Sequence, residues 1–284
     1  MADDLTFRAE AAAEYDRAFA HVSFHFLPFV LRAARLAPGH RVLDVVTGTG
    51  ISAEAVLDAV GPSGSVLATD ISQEMVEKAR KRLSQSPNAA VAVADGQAPS
   101  LSEASLDAVI CSLGLMFFPE PARGLASFHR VLRPGGRAAV SVKVAPEHSY
   151  NFGINVVIAH YKPNLADAVA RLFALGDEVR LKLLFSAAGF VNFETFTENH
   201  TFVLPSFDAY YGPFERGGAS TGQLLATMPE AAMHAVREEM RQALNDTGEP
   251  ITIDVEHRIA SGRRQRESAT VESVANHEQQ YHWE

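Results

Sequence analysis

The sequence predicts an α/β fold with a doubly wound, mostly parallel seven-stranded sheet, and three observations predict it. Short apolar, β-branched runs alternate with helical patterns from about residue 40 to residue 144, the rhythm of parallel strands joined by right-handed crossovers. The run Val42-Leu43-Asp44-Val45-Val46 stops on the turn Thr47-Gly48-Thr49-Gly50, and a helical pattern starts at Ile51. Three acids, Asp44, Asp70 and Asp95, fall at or near the carboxyl ends of successive strands, the edge where an open parallel sheet takes its ligand.

Residues 5–37 set Ala, Phe, Leu and Val at helical spacing among charges and predict one or two helices ahead of the sheet. After Pro38-Gly39, residues 40–46 form the first strand and 51–60 a helix, stopped by Gly61-Pro62-Ser63-Gly64. Residues 65–70 (SVLATD) are the second strand, 72–83 a helix with Glu and Lys outward, and 90–94 a third strand ending at Asp95-Gly96. The fourth strand, 106–112, is nearly all apolar and is expected to be covered on both faces. A helix over 119–132 closes on the turn Arg133-Pro134-Gly135-Gly136, and the fifth strand follows over 137–144. Beyond it the rhythm loosens. Helical insertions are expected after strands five and six, over 146–177 and 206–248, with a helix at 178–188, an extended stretch at 190–203 and a last strand at 251–261. This divides the chain into a helical cap (1–37), a nucleotide-binding core (38–145), the rest of the sheet with helical lids over the substrate (146–262) and a loosely held polar tail (263–284).

Composition narrows the function classes. The 284 residues are 47% hydrophobic and 21% charged, enough to bury a full core. Lys and Arg number 25 against 34 Asp and Glu, a net charge of -9 that argues against a nucleic-acid partner. One cysteine, Cys111, leaves no internal disulfide and no thiolate metal cluster, so no metal is expected, and its apolar neighbours make it a buried small hydrophobe. The start of the chain lacks a basic-then-apolar signal pattern, and no run approaches 18 apolar residues. A cytoplasmic protein without membrane insertion is therefore expected. Its long insertions suit lids or homodimer contacts equally.

Which nucleotide the loop serves is the central question. Gly48-Thr49-Gly50-Ile51-Ser52-Ala53 satisfies the G-x-G-x-x-(G/A) dinucleotide pattern, and Asp70, twenty residues beyond Gly50, suits the ribose of NAD or of S-adenosylmethionine. Asp44 discriminates. A strand carboxylate buried there is costly unless it is paired, and it makes sense facing a ligand ammonium, which S-adenosylmethionine has and NAD lacks. Asp95-Gly96 fits a carboxylate near an adenine amino group, with glycine allowing close approach.

In order and spacing, residues 42–50, 66–70, 94–96, 106–118 and 133–136 resemble a class I S-adenosylmethionine-dependent methyltransferase, of the broad group that includes the ubiquinone and menaquinone C-methyltransferases. The resemblance covers about residues 38–145. It implies S-adenosylmethionine as cofactor, held by Asp44, Thr47, Gly48, Thr49, Gly50, Asp70, Ile71, Met75, Asp95, Gly96, Ser112 and Leu113, with Tyr15 of the first helix laid over it. One position departs from the family: Val46 stands where a glycine is usual. A β-branched residue is poorly suited to positive φ, so Val46 is expected to finish the strand.

On the acceptor side, Met116, Phe117, Tyr150, Tyr210 and Tyr211 are expected to form an apolar, aromatic pocket, although any one of them serves equally well as core. Ser112-Leu113-Gly114-Leu115 stands where an enzyme methylating the amino groups of nucleobases or glutamine amides would carry an Asn/Asp-Pro-Pro-Tyr tetrad. The expected reaction is methyl transfer to carbon or oxygen of a small, largely hydrophobic acceptor such as a quinone, polyketide or terpenoid. His148, after the fifth strand, is the first candidate for a general base and His25 the second; His21 and His25 share one helix face. Two other readings use the same residues: an NAD(P)-dependent oxidoreductase, and a methyltransferase-like binding module without turnover.

Overall fold

The computed structural model of the chain describes residues 9–163 and 166–266. A 25-residue helix, α1 (Ala9–Ala33), precedes the sheet. There follow β1 (Arg41–Val45), α2 (Ile51–Val60), β2 (Ser65–Asp70), α3 (Gln73–Arg82), β3 (Ala89–Val93), β4 (Leu106–Ser112), α4 (Pro121–Val131) and β5 (Leu132–Lys143). The second half comprises α5 (Phe152–Tyr161), α6 (Ala166–Arg171), α7 (Glu178–Ala187), β6 (Phe190–Leu204), α8 (Phe207–Glu215), α9 (Ala219–Ala226), α10 (Glu230–Ala243) and β7 (Ile251–Arg264). Local chemistry sets several of these ends. The Ser72 hydroxyl accepts the Met75 N–H to cap α3, Asp177 caps α7 through the Arg180 N–H, and Gly61, at φ +66°, stops α2.

The seven strands lie in the order β3-β2-β1-β4-β5-β7-β6. The expectation of a mostly parallel sheet is corrected here: the sheet is mixed. β1 to β5 pair in parallel, but β7 runs antiparallel to both β5 and β6. Apolar periodicity reports a strand and its buried face, not its direction. The direction is set by α8, α9 and α10, which return the chain so that β7 enters between β5 and β6. The turn expected at 133–136 is absorbed into β5, where the register with β4 jumps from Leu106↔Leu132 to Ala108↔Arg137 and Gly135 sits at φ +88°. β7 continues to Arg264, past the expected end at 261 and into the expected tail; residues 1–8 and 267–284 lie outside the described residues.

Helices cover both faces. Val30 of α1 and Ala34 just past its end, with Val56 and Val60 of α2, pack on Val42, Ala139 and Ile259. On the other face, Leu125 and Phe128 of α4 and Leu181 and Phe185 of α7 pack on Val109, Cys111, Val140 and Ala260. β4 is buried along six of its seven residues, as its apolar sequence requires. A third core joins α1, α5, α8, α9 and α10 around Tyr150, Tyr210 and Phe214. Among the described residues no helix is long and apolar enough to cross a membrane.

Gly262 lets β7 pass beneath α7, because a Cβ there would lie 2.8 Å from both Phe185 and Phe190. Gly262→Ala is expected to lower unfolding free energy by about 1–3 kcal/mol through overpacking, read as a lower urea midpoint at unchanged slope.

Candidate active site

The site is built where β1, β2 and β4 end. Asp44 is fully buried, and its Oδ2 accepts the hydroxyls of Thr47 and Ser52, each at 2.5 Å. Its Oδ1 is buried with no hydrogen-bond partner among the described residues. Burial pushes the carboxyl up to about 7, against the opposing effect of the two hydroxyls. A buried acceptor left open in this way asks for a donor, and a cationic one satisfies it best.

Asp70 closes the loop from the neighbouring strand. Its Oδ2 accepts the Gly48 N–H at 2.9 Å and its Oδ1 the Ser72 N–H at 3.0 Å. Burial raises this carboxyl too, while the backbone N–H groups of Ser72, Gly48 and Ile71 work against the rise. Gly48 (φ +57°) and Gly50 (φ +88°) take the left-handed backbone the turn requires. Open space surrounds the position a Gly48 Cβ would occupy, whereas at Gly50 a Cβ would crowd Ala79 of α3.

Helix α1 roofs the loop. Asp16 accepts the Thr49 hydroxyl at 2.5 Å and pairs with Arg82 at 2.6 Å, and Arg82 also donates to the Thr49 carbonyl and to Glu54. Between roof and loop lies a narrow cavity of about 50 Å³, lined by Tyr15, Ser23, Leu27, Val46, Thr47, Gly48, Thr49, Ile51, Ser52, Ser112 and Leu113. Burial, then Asp70, then Asp16 push the Tyr15 hydroxyl up to about 12. Leu113 (φ +53°) is pinned by its N–H to both the carbonyl and the hydroxyl of Ser141.

Several expected residues therefore converge: Tyr15, Thr47, Gly48, Thr49, Ser112 and Leu113 line the cavity, Asp44 and Asp70 bond directly to the loop, and Gly50 ends it. Ile71, next to Asp70, projects into solvent at 73% exposure, while Met75 is buried in the first turn of α3. Asp95 is exposed and accepts the Gln97 N–H, and Gly96 is wedged where a Cβ would meet Val45 and Phe118. Sequence reasoning missed Asp16, Ser23, Leu27 and Arg82. The Asp16–Arg82 pair spans 66 residues, and no local pattern encodes such a contact.

Three expectations need correction. Val46 does not finish the strand; β1 ends at Val45 and Val46 sits at φ +59°, held by its packing beside Gly114. The aromatic pocket does not form on this cavity. Tyr150, Tyr210 and Tyr211 are buried in the helical core, where the Tyr210 hydroxyl bonds the Tyr150 carbonyl and Tyr211 stacks on Phe207; Met116 is buried beneath α4, and only Phe117 is exposed. Nor does His25 face the cavity: its ring stacks on His200 of β6 at 3.8 Å, and His21, on the same flank, bonds the Tyr150 hydroxyl at 3.0 Å. His148 is exposed at the end of a 3-10 turn after β5. Among the described residues there is no group of three or more His, Cys, Asp or Glu arranged to hold a metal.

Residues 42–136 match the family described as "Methyltransferase domain". Over 115 residues the chain is 36% identical to a ubiquinone/menaquinone biosynthesis C-methyltransferase of Geotalea uraniireducens, covering 39% of this chain and 49% of that one. Over 117 residues it is 36% identical to an arsenite methyltransferase of Halobacterium salinarum, covering 40% and 30%. These matches span less than half the length of either relative. Phosphoethanolamine N-methyltransferase 2 of Haemonchus contortus, solved with S-adenosyl-L-methionine, superposes with a TM-score of 0.57 at 15% identity, over 91% of this chain and 58% of that one.

Two outcomes follow from this geometry. A Cβ on Gly114 would lie 2.7 Å from both the Val46 side chain and the Cys111 sulfur. Gly114→Ala is expected to destabilise by about 2 kcal/mol, and Val46→Gly in the same chain to recover about 1 kcal/mol of that, a non-additivity read by a double-mutant cycle of denaturant midpoints. For Asp44, the carboxyl ionises near 3.8 when unfolded and about 7 when folded, so between these values the folded chain holds a proton that the unfolded chain has lost. Without a bound cation, its contribution to stability falls as pH rises from about 4 to about 7, by about 4 kcal/mol in all. Asp44→Asn removes this slope, so thermal scans from pH 4 to pH 8 are expected to show the variant gaining on the parent across that window.

Proposed function

We propose that the chain, whose residues 42–136 match a methyltransferase domain, is a class I S-adenosylmethionine-dependent methyltransferase that methylates carbon or oxygen of a small, largely hydrophobic acceptor. The observation that carries the reading is the character of the cavity beside the open Asp44 oxygen: its lining is uncharged, with Leu27, Val46, Ile51 and Leu113 interrupted only by hydroxyls and backbone. The acceptor has to meet the cofactor against this lining, and an anionic one would find no counter-charge in it.

When bound, the cofactor supplies a methyl group made electrophilic by a sulfonium. The chain's own residues then have four tasks. The Asp44 carboxylate receives the ammonium, and Asp70, already fixing the Gly48 N–H, presents its remaining lone pairs to the ribose diol. Asp95 and the exposed Ile71 flank the adenine. Tyr15 and the α1 roof exclude water and hold donor and acceptor in line, the main lever available for a displacement of this kind. His148 is the base kept for test, on the same sheet edge and open to solvent.

Arsenite, the substrate in the name of one relative, is disfavoured. A soft metalloid is held by several thiolates, and this chain has the single thiol of Cys111, buried in β4 and pushed up in pKa by burial.

The deciding measurement is calorimetric titration with S-adenosylhomocysteine and, in parallel, NADH. Binding on the order of micromolar is expected for the first and none for the second, and Asp70→Asn is expected to weaken the first about tenfold or more. Labelled methyl from S-adenosylmethionine should then appear in members of a quinol and phenol panel and not in arsenite. Binding of NADH alone, or label in arsenite alone, overturns the proposal. Unchanged turnover in His148→Ala removes that residue from the mechanism.

A further inference from the structure

At the opposite end of the sheet, three arginines cluster beside one carboxylate that pairs with two of them. Arg137 of β5 and Arg263 of β7 are directly paired across the antiparallel ladder, so their side chains leave the same face. Ser261, two residues along β7, shares that face and accepts from Arg137 at 2.9 Å. A bulge in β6 between Val191 and Glu194, with Asn192 at φ +52°, turns Glu194 onto the cluster, where it takes Arg137 at 2.9 Å and Arg35 at 2.8 Å. Arg35 itself lies just past the end of α1, at φ +51°.

The charges do not close. Like charges directly opposite on adjacent strands repel, and a guanidinium taken out of water needs acceptors for its donors. Arg137 is only 5% exposed, yet its Nε has no acceptor among the described residues. The Nε of Arg263 is likewise buried without one, and Arg263 forms no ion pair among the described residues. Glu194 is shared between two arginines, which leaves two positive charges uncompensated beside two buried donors. The Glu194 side chain is about half exposed, so the cluster is open to solvent from the β6 side.

We propose that Arg35, Arg137 and Arg263, with the Ser261 hydroxyl, bind a small dianionic oxyanion, a phosphate group, at the edge of the sheet where β5 begins and the antiparallel β7 ends. The Nε and terminal nitrogens of arginine form a planar fork matched to phosphate oxygens, and a dianion balances the charge left over. The site lies at the end of the sheet remote from the cofactor cavity, so it is separate from methyl transfer and stands or falls without it.

The test is thermal unfolding in phosphate-free buffer, titrated with inorganic phosphate against chloride at matched ionic strength, on the full chain. A saturable rise in Tm with phosphate over chloride is expected. Arg263→Gln and Arg35→Gln are each expected to weaken the apparent affinity about tenfold or more, the loss of one charge-assisted contact. In phosphate-free buffer Arg263→Gln is expected to melt no lower than the parent, because it relieves the Arg137–Arg263 repulsion. Unchanged S-adenosylhomocysteine titration in both variants controls for folding. Repeating the titration with glycerol phosphate separates the two sources of a phosphate group: tighter binding assigns the site to a phosphorylated metabolite, equal or weaker binding to the free ion. No saturable rise in the parent, or undiminished affinity in Arg263→Gln, overturns the proposal.

Discussion

The bridge made by the Asp70 carboxylate is the constraint on which the site rests. One oxygen holds the Gly48 N–H of the loop after β1, and the other holds the Ser72 N–H where α3 begins. Two neighbouring strands are thereby tied at their carboxyl ends, and a turn of left-handed residues becomes a fixed shape. Through the same loop Thr47 reaches Asp44 and Thr49 reaches Asp16, so the cation-seeking carboxylate and the roof helix both take their positions from it. A loop with fewer anchors would leave Asp44 desolvated without orienting its open oxygen, a cost with nothing gained.

The helical half is held to the sheet by a different device. Lys143, buried at the end of β5, donates to Asn151; Asn151 donates to Thr221 of α9, and Thr221 to Asn155 of α5. Burial brings the lysine down to about 8, so near neutral pH its charge is already only weakly favoured. Around this chain of bonds the rings of Tyr150, Tyr210 and Phe214 close the apolar core. The result is a lobe docked at the ligand edge by both satisfied polar groups and apolar packing.

Much of this was legible in the sequence because it is local. The limits of α2, β2 and β4 follow from glycine stops, strand-end acids and apolar runs, and the loop residues were identifiable from their types and spacing. What was illegible is long-range. The direction of β7 depends on where three helices return the chain. Tyr210 and Tyr211 read as pocket because aromatic residues of a core and of a pocket look alike until the neighbouring helices are placed. The Val46 conformation was hidden for a related reason: intrinsic preference disfavours it, and its packing against Gly114 overrules that preference. The arginine cluster was invisible because its members are scattered along the chain: strand register sets Arg137 beside Arg263, and the seating of α1 on the sheet brings Arg35 to Glu194.

The latch between α1 and the loop carries one more consequence. Asp16 and Arg82 are partly exposed, at 38% and 23% of their side-chain surface, so their attraction is subject to screening by dissolved ions. The contacts deeper in the cavity are shielded from it. Ionic strength therefore acts on the two unequally: it loosens the latch of α1 on the loop, while the buried hydrogen bonds by which Asp44 and Asp70 hold that loop are largely untouched.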